Sequence, residues 1–228
     1  MTSSVPAALL TLADARFPAG GHAHSGGAEV AVADGRVSDP TSLRSFLHGR
    51  LRTQGLTQAA LAAAACSAAA GAGPWPQLPV LDEHADARTP AAVQRRVSRA
   101  QGRAVLRAGL AAWPAPVLDA LAATSGGPHH PIAMGVVARA AGLDPAQAAL
   151  VVAHASVTGP ASAVLRLLGL DPYGVNAVVA SLDEACQAVG EQAARLPEDW
   201  SELPAATGPL LDLAAIRHEG WEVRLFAS

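Results

Sequence analysis

Four times along this chain a side chain able to cap a helix stands directly before a proline: Asp39-Pro40, Thr89-Pro90, Asp144-Pro145 and Asp171-Pro172. A cap oxygen accepts from a free backbone N–H of the first turn, and proline at the first helical position lacks a donor that would have no partner anyway. Each pair therefore marks a helix start. Together with apolar steps of three and four residues, these starts predict helices over about residues 5–13, 27–34, 40–70 (weakened at Gly55), 77–87, 90–113, 116–124, 131–141, 145–168 (bent near Gly159-Pro160), 172–195 and 208–218. Val175, Val178, Val179, Leu182, Cys186, Val189, Ala193 and Leu196 read as one buried stripe.

The apolar half of the chain is mostly alanine, while aromatics make up 4% and charged residues 15% of the 228 residues. Such a composition favours close helix packing over a sandwich built from branched and aromatic side chains. The expected fold is all-α: a single-domain bundle of about ten antiparallel helices spanning residues 1–228. No period of 20–50 residues repeats, and the Gly/Pro-rich stretch 71–79 reads as a loop rather than a domain linker.

All 16 basic residues are arginine. Without lysine the chain has neither a Walker A phosphate loop nor a pyridoxal Schiff base. With 19 acidic residues the net charge is −3, which speaks against affinity built on phosphate neutralisation, so no nucleic-acid partner is expected. Cys66 and Cys186 stand far apart in apolar helical segments and read as core residues. The start lacks the basic region of a signal peptide, and the alanine tract 61–72 is too weakly hydrophobic for a membrane span. A cytoplasmic protein without a membrane partner is expected.

Three stretches are candidates for chemistry or recognition. The glycine-rich segment 16–29 contains Ala23-His24-Ser25-Gly26-Gly27, a variant of the nucleophile elbow with Ser25 as a conceivable hydrolase nucleophile. That motif needs a preceding strand, and the segment before it reads as helix. His22 and His24, two residues apart, are conceivable transient metal contacts, but a tight site wants three or four ligands and none is firm here. Arg96, Arg99, Arg103 and Arg107 share one helix face, either solvated or a docking strip for an acidic partner, and Gly102 between them suggests close helix approach. Finally, the chain ends in Arg217-His218-Glu219 and Arg224-Leu225-Phe226, with large apolar side chains where most termini are polar. Their burial requires either their own domain or another chain.

Taken in order, FPAGGHAHSGGAE (17–29), SRAQGR (98–103), HHPIAMGVVARAAGLDP (129–145), SVTGPASAVLRLLGLDPYG (156–174) and LAAIRHEGWEVRLFAS (213–228) resemble the motifs of the UreF-type urease accessory proteins. Phe17, His22 and Ala28 depart from the family pattern at the first motif. The resemblance implies a dimeric all-α protein with no enzymatic activity and no tightly bound cofactor. It would work with a UreD/UreH-type scaffold, a UreG-type GTPase and the urease apoprotein, the nickel being handled by the complex, and modulation of GTP hydrolysis is a further suggestion of the family. It also implies that residues 1–27 and 217–228 contact partners or a second copy. The partner-binding residues carried over are Pro18, Gly20, Gly21, Ser25 and Glu29 with Arg217, His218, Glu219, Arg224, Leu225 and Phe226, the last two covered by another chain. The alternatives are a helical module binding an unrelated protein and a serine hydrolase using Ser25.

Overall fold

The computed structural model describes residues 6–206 and 208–227, and among these every regular element is helical. In chain order they are α1 (Ala7–Ala13), α2 (Ala28–Ala33), α3 (Pro40–Arg50), α4 (Leu56–Ala68), α5 (Gln77–Ala87), α6 (Ala92–Ala112), α7 (Pro116–Ala122), α8 (His130–Ala140), α9 (Pro145–Leu168), α10 (Pro172–Ala180), α11 (Asp183–Ala193) and α12 (Pro209–Glu219). Short 3-10 turns lie at Gly21–Ala23 and Trp200–Glu202.

Three of the four cap-proline pairs start helices as expected. The carboxylates of Asp39, Asp144 and Asp171 accept from the backbone N–H of Ser42, Gln147 and Gly174, and the first two complete capping boxes. Thr89-Pro90 does not: the Thr89 hydroxyl donates back to the Ala85 carbonyl at 2.8 Å, closing α5, and α6 begins at Ala92 without a side-chain cap. The weakness at Gly55 is a π turn, Leu51–Gly55, through which α3 runs on into α4. A Cβ on Gly55 would sit 2.8 Å from Ser156 Oγ, so the glycine lets α9 close onto the turn. The stretch 172–195 forms two helices instead of one. Ser181 Oγ donates to the Val178 carbonyl at 2.7 Å, and the chain restarts at Asp183 with Leu182 still buried, so the apolar stripe continues across the break.

The core is built on α4. Ten of its thirteen residues are buried, and it packs against α8, α9 and α11. Contact is close because the facing residues are small. A Cβ on Gly135 of α8 would run into the carbonyl oxygen of Ala62 and lie 2.9 Å from the Ala65 Cβ, and one on Gly102 of α6 would meet the Pro128 carbonyl. α9 is long and apolar enough to cross a membrane by length and composition, unlike anything anticipated from the sequence, but most of its apolar window is packed inside the bundle. Cys66 and Cys186 are buried, and burial pushes their thiols up to about 12 and about 11.

The start of α8 is fixed by a polar network that joins it to α5 and α6. Arg99 donates to Asp82 at 2.8 Å, Asp86 at 2.7 Å and the Gly127 carbonyl at 2.6 Å. His129 donates from its backbone to Asp82 and from Nε2 to Asp86, both at 2.8 Å, while Ser98 Oγ meets its Nδ1 at 3.0 Å and accepts from the His130 N–H at 3.1 Å. Desolvation works to raise the Asp86 carboxyl, but hydrogen bonds from His129 and Arg99 outweigh it and hold the group below its usual value.

Candidate functional site

Gly26 and Gly27, with φ of 61° and 89°, turn the chain from the 3-10 segment into α2 through left-handed backbone that other residues rarely adopt. The turn delivers Glu29 to the interior, where it is 6% exposed. Its carboxylate accepts from His218 Nε2 at 2.7 Å, from the backbone N–H of Leu225 at 2.7 Å and from that of Phe226 at 3.2 Å. One buried acid thus ties the end of α12 and the tail beyond it to the beginning of α2. A backbone bond from Ala227 to Ala23 at 2.8 Å, an Arg217–Asp34 ion pair at 2.8 Å and the Arg96–Glu219 ion pair add to the tie.

The tail is divided residue by residue. Phe226 is 4% exposed, with the Arg166 guanidinium 4.5 Å above its ring, whereas Val223 and Leu225 are 88% and 75% exposed. The expectation that both Leu225 and Phe226 find their cover on another chain is therefore corrected for Phe226, which docks on its own domain because Glu29 holds its backbone. His218, Glu29 and Ser25 are likewise buried within the chain. Pro18, Gly21, Arg217, Glu219, Arg224 and Leu225 are exposed and Gly20 is half-buried. On α12, Leu210, Leu213 and Ile216 are also exposed.

The arginine face of α6 is largely engaged by its own chain. Arg96 pairs with Glu219, Arg99 with Asp82 and Asp86, and Arg103 donates to the Gly126 carbonyl at 2.8 Å, leaving Arg107 exposed. An acidic partner would have to compete with acids already in place. Gly102 does mark a close approach, as the spacing suggested. Ser25 does not form a nucleophile elbow: helix α1 precedes its loop, and its Oγ is buried without a hydrogen-bond partner.

Behind the glycine-rich loop lies a cavity of about 280 Å³ bounded by α1, α4, α6, α8, α9 and α12. It brings together histidines that are far apart in the sequence. His22, His24 and His130 all line it, and among the described residues no group of three metal-ligating side chains forms. Burial, then the charge of His22, holds His24 below the usual imidazole value. Burial, then the charge of His24, brings His130 down to about 4. The residue missed in the sequence is Arg50, at the join between α3 and the π turn. Its Nε donates to the Ser156 carbonyl at 3.2 Å and its Nη1 to the Gly26 carbonyl at 2.8 Å and Gln54 Oε1 at 2.6 Å. Pro160 is the reason Ser156 needs this donor: lacking an N–H, it leaves the carbonyl four residues back without its helical partner.

The fold is an all-helical bundle in which the end of α12 and the tail beyond it are latched to the loop before α2. The family model of UreF matches residues 37–183. A urease accessory protein UreF of Mycolicibacterium vanbaalenii is 45% identical over 97% of this chain and 98% of its own length. Proteins of the same name from Mycobacterium sp. (strain JLS) and Mycobacterium tuberculosis are 44% and 39% identical over 96% and 97% of the chain. The chain belongs to the UreF family.

Proposed function

We propose that this chain is a non-catalytic, cytoplasmic accessory protein of urease maturation. It joins a UreD/UreH-type scaffold, a UreG-type GTPase and the urease apoprotein in an assembly that inserts nickel. The observation that carries the reading is that Leu210, Leu213 and Ile216 on α12 and Val223 and Leu225 on the tail are exposed, while the Glu29 latch ties α12 and the tail to the rest of the chain. Side chains of this size contribute roughly 1.5–3 kcal/mol each when covered, and a partner supplies the cover. Because the latch fixes the tail beforehand, docking costs little further ordering. Exposed Arg217, Glu219 and Arg224 stand on the same two segments, and Pro18, Gly20 and Gly21 lie on the loop that the tail closes. Residues 1–27 and 217–228 contact partners or a second copy in a homodimer. Nickel is cargo of the complex. Exposed His22 and half-buried His24 touch it at most in passing, and no nickel stays bound to the purified chain.

Co-expression with the two candidate partners, followed by size exclusion, tests the reading. The expected result is a co-eluting complex that Leu225→Glu and Leu213→Glu each weaken at least tenfold while far-UV circular dichroism stays unchanged. Failure of the chain to co-elute with either partner would overturn it and favour a module for an unrelated protein.

A further inference from the structure

Arg50 lines the cavity as a cation with no counter-ion. Among the described residues no acid lies within ion-pair distance of its guanidinium, and its three hydrogen bonds go to neutral acceptors. Desolvation lowers its pKa only to about 10, so it stays protonated at neutral pH. Leaving such a charge uncompensated inside a protein is costly. Among the described residues its Nη2 has no hydrogen-bond partner. Ser25, one residue from the Gly26 carbonyl that Arg50 holds, also lines the cavity, is 0% exposed, and presents an Oγ with no partner.

Among the described residues, the acids on the same wall form no ion pair with Arg50. Asp14 is bound by Arg16, and burial raises the carboxyl of Asp212. Arg88 is used up on the carbonyls of Trp200, Ser201, Leu203 and Pro204, and Arg166 on those of Ser162 and His22 and on the Phe226 ring. The wall near α4, α6 and α8 is mixed: Leu61, Val93, Val97 and Met134 supply apolar surface, and Gln58, Gln101 and His130 stand among them. The volume is close to the lower end of small-molecule pockets, roughly 300 Å³.

We infer that this cavity binds a short aliphatic carboxylate, whose head group accepts from Arg50 Nη2 and Ser25 Oγ and whose tail lies against Leu61, Val97 and Met134. Two unmet donors match the two oxygens of a carboxylate, and Arg50 is held in place beforehand by its three acceptors, which limits the ordering cost of binding. The π turn that carries this geometry is a feature often found at functional sites. The inference does not depend on the proposed role in urease maturation, because it concerns the isolated chain.

The test is calorimetry on the full chain with hexanoate, its uncharged isostere hexanamide, and inorganic phosphate as probes. Hexanoate should bind saturably with a Kd below about 1 mM and at least tenfold more tightly than hexanamide or phosphate. Arg50→Gln should weaken hexanoate at least tenfold. Should Arg50→Gln fail to fold, Ser25→Ala, which removes only an unpartnered hydroxyl, should still weaken it at least threefold. Equal binding of acid and amide, tighter binding of phosphate, no saturable heat with hexanoate, or an unchanged Kd in Ser25→Ala would each overturn the assignment.

Discussion

The interior around α4 and the shell formed by residues 14–29 and α12 with its tail are held together by different means. In the interior, alanines and glycines let backbones approach until no side chain fits between them, and cohesion is spread over many small contacts. In the shell, a few polar groups on one carboxylate fasten a segment whose apolar side chains partly face water. Spread contacts resist substitution collectively and fail globally, whereas point contacts fail locally. A single change should therefore unfold the first region with the whole molecule, and only open the second.

Gly135→Ala should give the largest effect. The new Cβ meets the Ala62 carbonyl, a backbone atom that cannot swing aside, so α4 and α8 must separate. A loss of about 3 kcal/mol, the upper end of ordinary overpacking, is expected in urea denaturation, with one cooperative transition throughout. Loss confined to the tail would erase the contrast between the regions.

Acidification reaches the boundary between them next. A histidine with a depressed folded-state pKa binds its proton in the unfolded chain first, so it draws stability down as pH falls from its unfolded value of about 6.5 toward about 4. For His130 the full effect is about 2–3 kcal/mol at pH 4, with His24 acting in the same direction. His130→Gln should flatten that part of a stability-against-pH curve. An identical slope in the variant would show that His130 is not held neutral by its surroundings.

How much of this was legible in the sequence differs between the regions for the same physical reason. Helix starts at Asp39, Asp144 and Asp171 depend on residues within three positions, and they are read correctly. Thr89 misleads because one hydroxyl can either open the next helix or close the last, and sequence does not say which. The break at Ser181 is invisible because the buried stripe keeps its spacing across it. In the shell, Glu29 and His218 both stand out in their motifs, yet they are 189 positions apart and nothing local announces that they bond to each other. Arg50 left half a signal: Pro160 predicts an orphaned carbonyl at Ser156, but not which donor folds over to meet it.

Glu29→Gln probes the shell itself. The amide keeps one acceptor oxygen in place of two, so besides the charge it loses either the bond from the Leu225 N–H or those from His218 and Phe226. The cost is capped, because beyond the free energy of docking the tail simply opens and its N–H groups turn to water. A loss of about 1–2 kcal/mol is expected. Amide hydrogen exchange should show Leu225 and Phe226 unprotected while α4 and α8 keep their protection. Faster exchange in α4 as well would mean that the latch belongs to the core.

The smallest effect should fall on Leu225, and it separates the two uses of the tail. Its neighbour Phe226 is buried beneath Arg166, so Phe226→Ala removes packing the folded chain already has and should expose the Leu225 amide to exchange. Leu225 is 75% exposed and gives the isolated chain little to lose, so Leu225→Ser should change its stability by no more than about 0.5 kcal/mol. Adjacent residues of similar apolarity would then differ because the Glu29 carboxylate holds both backbones while only one side chain turns inward. Comparable losses in the two variants by urea denaturation would mean that Leu225 is covered by its own chain in solution, and the apolar surface offered to a partner would shrink to α12 and Val223.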